Sequence, residues 1–123
     1  HDAVRPLITP KEIEDVIRAA RKHKAALAAC PSKDTVKIAD AKKYVKHSPS
    51  RESVWLAQTP QVFEQKLLMR AHQKGRRMAV TDDAQLVERL GTPVKLVPTS
   101  WENLKVTFPV DFILARQILQ ERA

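Results

Sequence analysis

At 123 residues and 13.9 kDa the chain makes one domain at most, and 43% hydrophobic content suffices for a modest core rather than a disordered segment. No uncharged apolar run approaches the roughly 20 residues of a bilayer helix, one cysteine leaves no disulfide framework, and two glycines leave no glycine-rich phosphate loop within these residues. The formal charge of +8 favours anionic partners and is concentrated in residues 11–51, where eleven basic side chains face five acidic ones.

In chain order, His1 stands where an initiator methionine would, which raises the expectation that upstream residues are missing and that targeting signals lie outside this sequence. Thr9-Pro10-Lys11-Glu12 is a helix start: Thr9 caps, Pro10 takes the first helical position and Glu12 closes a capping box. A helix of about 14 residues should follow, with Ile13, Val16, Ile17 and Ala20 forming its apolar stripe. Ala25 to Cys30, stopped by Pro31, reads as a buried strand, so the chain opens with an α/β unit. From Ser32 to Ser53 short alternating pieces, Thr35-Val36-Lys37-Ile38 and Tyr44-Val45, suit a half-exposed hairpin arm.

A strand is expected at Val54 to Ala57, and Thr59-Pro60 is expected to open a helix through Leu67, Leu68 and Ala71 that Gly75 closes. Thr81-Asp82-Asp83 should cap a second short helix ending at Gly91. Val94 to Val97 and Asn103 to Val106 read as strands. Thr107 and Pro109 then start a last helix, with Phe112, Ala115, Ile118 and Leu119 as its stripe.

The four histidines are too scattered for a zinc site, and no metal ligands are assigned to the protein. Cys30, in an apolar strand before Pro31, reads as a small buried hydrophobe rather than a nucleophile. Trp55 and Trp101 read as packing residues, because so few aromatics make no stacking platform. What remains is a set of polar groups at element ends: Asp2 and Arg5, Thr59 and Thr81 at expected helix N-termini, and Lys105 in an expected strand. In an open α/β sheet such ends gather at one edge, where hydroxyls, backbone N–H groups and a lysine suit a phosphate. Taken singly, each has an ordinary structural explanation as a cap, an ion pair or a solvated side chain.

Five segments occur together and in order: His1-Asp2-Ala3-Val4-Arg5-Pro6, Lys33-Asp34-Thr35-Val36-Lys37, Gln58-Thr59-Pro60-Gln61-Val62-Phe63, Thr81-Asp82-Asp83-Ala84 and Asn103-Leu104-Lys105-Val106-Thr107. This set resembles the 2-C-methyl-D-erythritol 4-phosphate cytidylyltransferases. Val4 is also similar to the related ribitol 5-phosphate enzymes, and Ser48-Pro49-Ser50 departs from the usual pattern before Arg51. The resemblance covers residues 1–123 and implies the C-terminal part of a Rossmann-like α/β nucleotidyltransferase sheet with a protruding β-hairpin arm at residues 31–53. The family's N-terminal half, with its glycine-rich CTP loop, is absent, and the chain alone is expected to be inactive.

The resemblance implies transfer of CMP from CTP to 2-C-methyl-D-erythritol 4-phosphate in non-mevalonate isoprenoid biosynthesis, with Mg²⁺ held mainly by the CTP phosphates. It casts Lys105 as catalytic, Asp2, Arg5, Thr59 and Thr81 as substrate-binding, and Thr35 and Arg51 as arm residues serving a neighbouring subunit's site in a homodimer. The attacking phosphate is already ionised, so no general base is required. A cytoplasmic or plastid setting is expected, without membrane or nucleic-acid partners. The competing class, a small basic nucleic-acid-binding module, has charge in its favour but no helix-turn-helix, zinc-finger or basic-zipper signature.

Overall fold

Thr9 begins the first helix as its sequence demands. In a computed structural model describing residues 1–123, α1 runs Pro10–His23, the Thr9 hydroxyl accepts from Glu12 N at 3.3 Å, and a Glu12 oxygen accepts from Thr9 N at 3.0 Å. Val16 and Ala20 are buried beneath it, and Lys24 ends it in the left-handed region at φ 68°. The chain drops directly into β1, Ala25–Pro31, whose residues 25–30 are all buried. That accounts for a strand with no polar alternation: helices and neighbouring strands cover both its faces.

The sheet order is β4-β1-β5, with β4 (Trp55–Phe63) antiparallel and β5 (Lys95–Pro98) parallel to β1. On one face α1 packs Val16 and Ala20 against Ala26 and Ala28. On the other, α2 (Gln65–Gly75) and α3 (Asp83–Glu88) bring Leu67, Ala71, Leu86 and Val87 over Ala25. Gly75 matters here for closeness rather than for turning: a Cβ on it would lie 2.4 Å from Leu86 Cδ2. Gly91, at φ 78°, is the left-handed stop after α3. Between β1 and β4 the arm forms a separate two-stranded hairpin, β2 (Ile38–Ala39) and β3 (Val45–His47), with both strands exposed. No helix is long and apolar enough to cross a membrane.

Four expectations change. The strand expected to end at Ala57 continues through Phe63, so Thr59-Pro60 lies inside β4 and α2 starts only at Gln65 after Glu64. The sheet tolerates Pro60 because β4 is an edge strand and its pairing shifts there: Leu27 faces Gln61 while Ala29 faces Ala57. The three residues between need no ladder N–H. At the next helix Asp82, not Thr81, is the cap, accepting from Gln85 N at 3.0 Å.

Residues 103–106 join no sheet; Val106 N instead donates to Val4 O at 2.8 Å. Finally, α4 (Pro109–Arg122) buries only Ala115 of its expected stripe, Phe112 remaining 65% exposed and Leu119 50%. Only the helix's far end is tied down, through Arg122 to Glu102 at 2.6 Å and to Leu7 O at 2.7 Å.

Glu12 also accepts from Ser100 N at 2.8 Å. Burial alone would raise its pKa, but the hydrogen bonds from Ser100 and Thr9 and the charge of Arg122 outweigh that and hold it below its ordinary 4.5. A depressed carboxylate contributes stability that is present above the unfolded value and lost as pH falls through the folded one. Glu12→Gln is therefore expected to lower stability by about 1 kcal/mol at neutral pH. Urea titrations across pH should show the gap to the parent closing below about pH 4.5; a gap independent of pH would deny the charge its part.

Candidate active-site cleft

The N-terminal segment, the irregular stretch of β4, the start of α3 and the loop after β5 converge on a cleft of about 390 Å³. Asp2, Arg5, Thr59, Thr81 and Lys105 all line it, although they come from four separated stretches of chain. Thr59 lies in the stretch of β4 where the pairing shifts, and its hydroxyl accepts from Asp2 N at 2.9 Å. Asp2 Oδ2 lies 3.8 Å from Lys105 Nζ and 3.5 Å from Arg5 Nε, the latter approach lacking hydrogen-bond alignment.

The two cations behave differently. Arg5 is nearly buried and its guanidinium is committed to backbone, donating to Asn103 O at 2.7 Å and Ala57 O at 3.4 Å. It braces the cleft. The Lys105 side chain is half exposed and pairs with the Asp2 carboxylate at 3.8 Å, beyond hydrogen-bond distance, so its ammonium faces the cleft with donors to spare. Leu104 and Val106 are partly buried while Lys105 is exposed, so the alternation expected of a strand holds although no strand forms.

Thr35 and Arg51 lie elsewhere. They sit at the base of the arm, where Arg51 Nη2 donates to Thr35 Oγ1 at 3.2 Å, and neither lines this cleft. Five of the seven residues singled out in the sequence thus meet at one place, and the other two meet each other.

Sequence reasoning missed His1, Gln58, Gln61, Asp82 and Asp83, which also line the cleft. His1 Nδ1 is 3.0 Å from Thr59 Oγ1 and its Nε2 is 3.1 Å from Arg5 O. A carbonyl only accepts, so Nε2 carries a proton. The signal was adjacency to Asp2 within one motif, which a search for zinc spacing passes over. Gln61 donates to Asp82 Oδ2 at 3.0 Å and accepts from Ala84 N at 3.3 Å, binding β4 to the head of α3. A second, larger groove of about 760 Å³ runs from there between α2 and α3 past His72, which pairs with Asp83 at 2.8 Å.

Cys30 is buried, accepts from Gln58 Nε2 at 3.3 Å, and has its thiol pKa pushed up by burial, in keeping with a packing residue. Trp55 packs over Leu27, Ala29 and Ala84, and Lys33 Nζ sits 5.3 Å above the Trp101 ring.

The chain is thus a mixed α/β sheet with a mixed-charge cleft along its edge. The chain superimposes on 4-diphosphocytidyl-2C-methyl-D-erythritol synthase from Anaerococcus prevotii with a TM-score of 0.90 at 41% identity, over 98% of this chain and 57% of that one. On 2-C-methyl-D-erythritol 4-phosphate cytidylyltransferase from Thermus thermophilus the TM-score is 0.86 at 37% identity, over 98% and 60%. Residues 1–121 match the family model described as IspD: 2-C-methyl-D-erythritol 4-phosphate cytidylyltransferase, and the chain belongs to that family. The curated cytidylyltransferase of Desulforamulus reducens is 48% identical over 99% of this chain, and that of Pelotomaculum thermopropionicum is 47% identical. The chain spans about half the length of the curated relatives it matches, 53% and 52% of these two.

Proposed function

We propose that the cleft is the sugar-alcohol-phosphate side of a cytidylyltransferase active site, in which CMP passes from CTP to 2-C-methyl-D-erythritol 4-phosphate and pyrophosphate leaves. The convergence of Asp2, Arg5, Thr59, Thr81 and Lys105 on one cleft, in a member of this family, is the observation that supports the reading most. The chemistry suits the residues. A phosphate oxygen of the sugar alcohol forms the new bond to the α-phosphorus of CTP as the bond to pyrophosphate breaks, so two anions must be brought together and extra negative charge stabilised.

Lys105 supplies a compact cation for the reacting phosphates, and Arg5 keeps the wall behind it rigid. The Asp2 carboxylate accepts from substrate hydroxyls, which distinguishes a polyol phosphate from a bare phosphate. Thr59 and Thr81 add hydroxyls at the rim, Thr59 by releasing its His1 contact.

Mg²⁺ does not fit a protein cage in these residues. No three His, Cys, Asp or Glu side chains gather for it. Both Asp82 oxygens are bonded within the chain, and one oxygen each of Asp83 and Asp2 faces a side-chain partner of its own. The ion is assigned to the triphosphate rather than to this chain's carboxylates.

Titrating the isotope-labelled chain with 2-C-methyl-D-erythritol 4-phosphate should shift the amides of Asp2, Arg5, Ala57, Thr59 and Lys105. Unmoved cleft amides at millimolar ligand would refute the assignment. Calorimetry with CTP and Mg²⁺ should show no micromolar site on the same chain, because two glycines cannot form a triphosphate loop; a micromolar isotherm would contradict this.

The arm is the proposed dimer contact. Its strands are exposed throughout and short, and such a hairpin is marginal in water without a partner. Deleting residues 32–53 from a full-length enzyme carrying this chain should turn dimers into monomers in sedimentation. Unchanged dimers would move the interface elsewhere.

A further inference from the structure

Lys105 sits in a segment that no sheet or helix holds, yet a residue that stabilises developing charge must be held to within a fraction of an ångström. Two buried amides, Gln58 in the cleft wall and Asn103 behind it, supply the missing rigidity. Asn103 is fully buried, and its Nδ2 donates to Gln58 Oε1 at 2.8 Å and to Thr59 O at 3.0 Å. Its own backbone oxygen accepts from Arg5 Nη1 at 2.7 Å. Gln58, 5% exposed, donates from Nε2 to Ser100 O at 3.3 Å, and its Oε1 also accepts from the Thr99 hydroxyl at 2.8 Å.

The orientation of both amides is determined by chemistry. Thr59 O and Ser100 O are carbonyls and only accept, so each must face an NH₂ group, and the Asn103 NH₂ can then reach Gln58 only at Oε1. Asn103 Oδ1 has no hydrogen-bond partner although it is buried. The side chain is seated in the protein through its donors.

We propose that Asn103 is a positioning residue for the reacting lysine. With Gln58 it locks the Thr99–Lys105 loop to the irregular stretch of β4 and to the Arg5 segment, so that the Lys105 wall and the Thr59 wall of the cleft keep one separation. The inference rests on the proposed cytidylyltransferase reading. Lys105 is two residues from Asn103, and Thr59 is bonded to it directly, so loss of the Asn103 donors loosens both walls together.

The test is a double-mutant cycle in a full-length cytidylyltransferase carrying this chain, with steady-state kinetics of Asn103→Ala, Lys105→Ala and the pair. Asn103→Ala is expected to lower kcat by on the order of 100-fold, as small displacements of catalytic groups do, with a smaller change in KM. The pair should be scarcely slower than Lys105→Ala alone, because a lysine that is absent cannot be misplaced. A purely structural role would instead multiply the two losses. Thr99→Val, which removes one hydroxyl from the network and nearly conserves volume, gives the same cycle if Asn103→Ala does not fold, with a kcat loss on the order of 10-fold.

Multiplicative losses, or an unchanged kcat in the variant that folds, overturn the inference while leaving the proposed function standing. An inactive parent overturns both.

Discussion

Lys105→Ala in the full-length enzyme is expected to lower kcat by on the order of 100-fold or more, the scale of losing one preorganised electrostatic contact at developing charge. The expectation comes from how the ammonium is held. Its nearest carboxylate oxygen is 3.8 Å away, within ion-pair range but beyond a hydrogen bond, and its side chain is half exposed toward the cleft that Asp2 and Thr59 line. Were the lysine only an anchor for bound substrate, KM would rise and kcat would be spared. Lys105→Arg should rescue poorly, because a planar fork cannot place its charge where a compact ammonium does. Kinetics of both variants, with thermal midpoints matched to the parent, decide the matter; a near-normal kcat for Lys105→Ala would return the residue to the solvated surface.

Mixing Arg51→Ala subunits with Lys105→Ala subunits should restore activity that neither has alone. Arg51 and Thr35 bond to each other at the arm's base and do not line the cleft that contains Lys105. If the arm serves the neighbouring subunit, a mixed dimer holds one intact composite site, and random exchange yields roughly a quarter of parent activity. No recovery after demonstrated subunit exchange would put both residues in one subunit's site.

Local signals in this chain were legible where a side chain and its partner lie within a few residues. Thr9, Pro10 and Glu12 announced α1 because a capping box is closed within one turn. The unbroken apolar run at 25–30 announced a strand covered on both faces, and Cys30 within it a packing residue. The arm's alternation announced a hairpin, expected half-exposed, whose two strands are in fact exposed throughout. By contrast, Thr59-Pro60 carries the local chemistry of a helix start, and only the tertiary structure, by placing β4 at a sheet edge with a pairing shift opposite Ala28, makes it a strand. The stripe on α4 was legible as a pattern, but a pattern does not supply a surface to pack on, and within this chain Phe112 and Leu119 stay exposed.

The sequence by itself determined which residue types were available for the chemistry: one cysteine, no clustered metal ligands, no phosphate loop, and a lysine flanked by apolar residues in Asn103-Leu104-Lys105-Val106. Motif order was enough to point to the family. The meeting of Asp2, Thr59, Thr81 and Lys105 was decided only by the tertiary structure, since hydrogen bonds such as Asp2 N to the Thr59 hydroxyl and Val106 N to Val4 O join positions 57 and 102 residues apart. The Gln58–Asn103 pair behind them was invisible for the same reason. An amide side chain has no local signature, and whether it is a solvated surface group or a buried link depends on which carbonyls and amides folding brings within 3 Å of it.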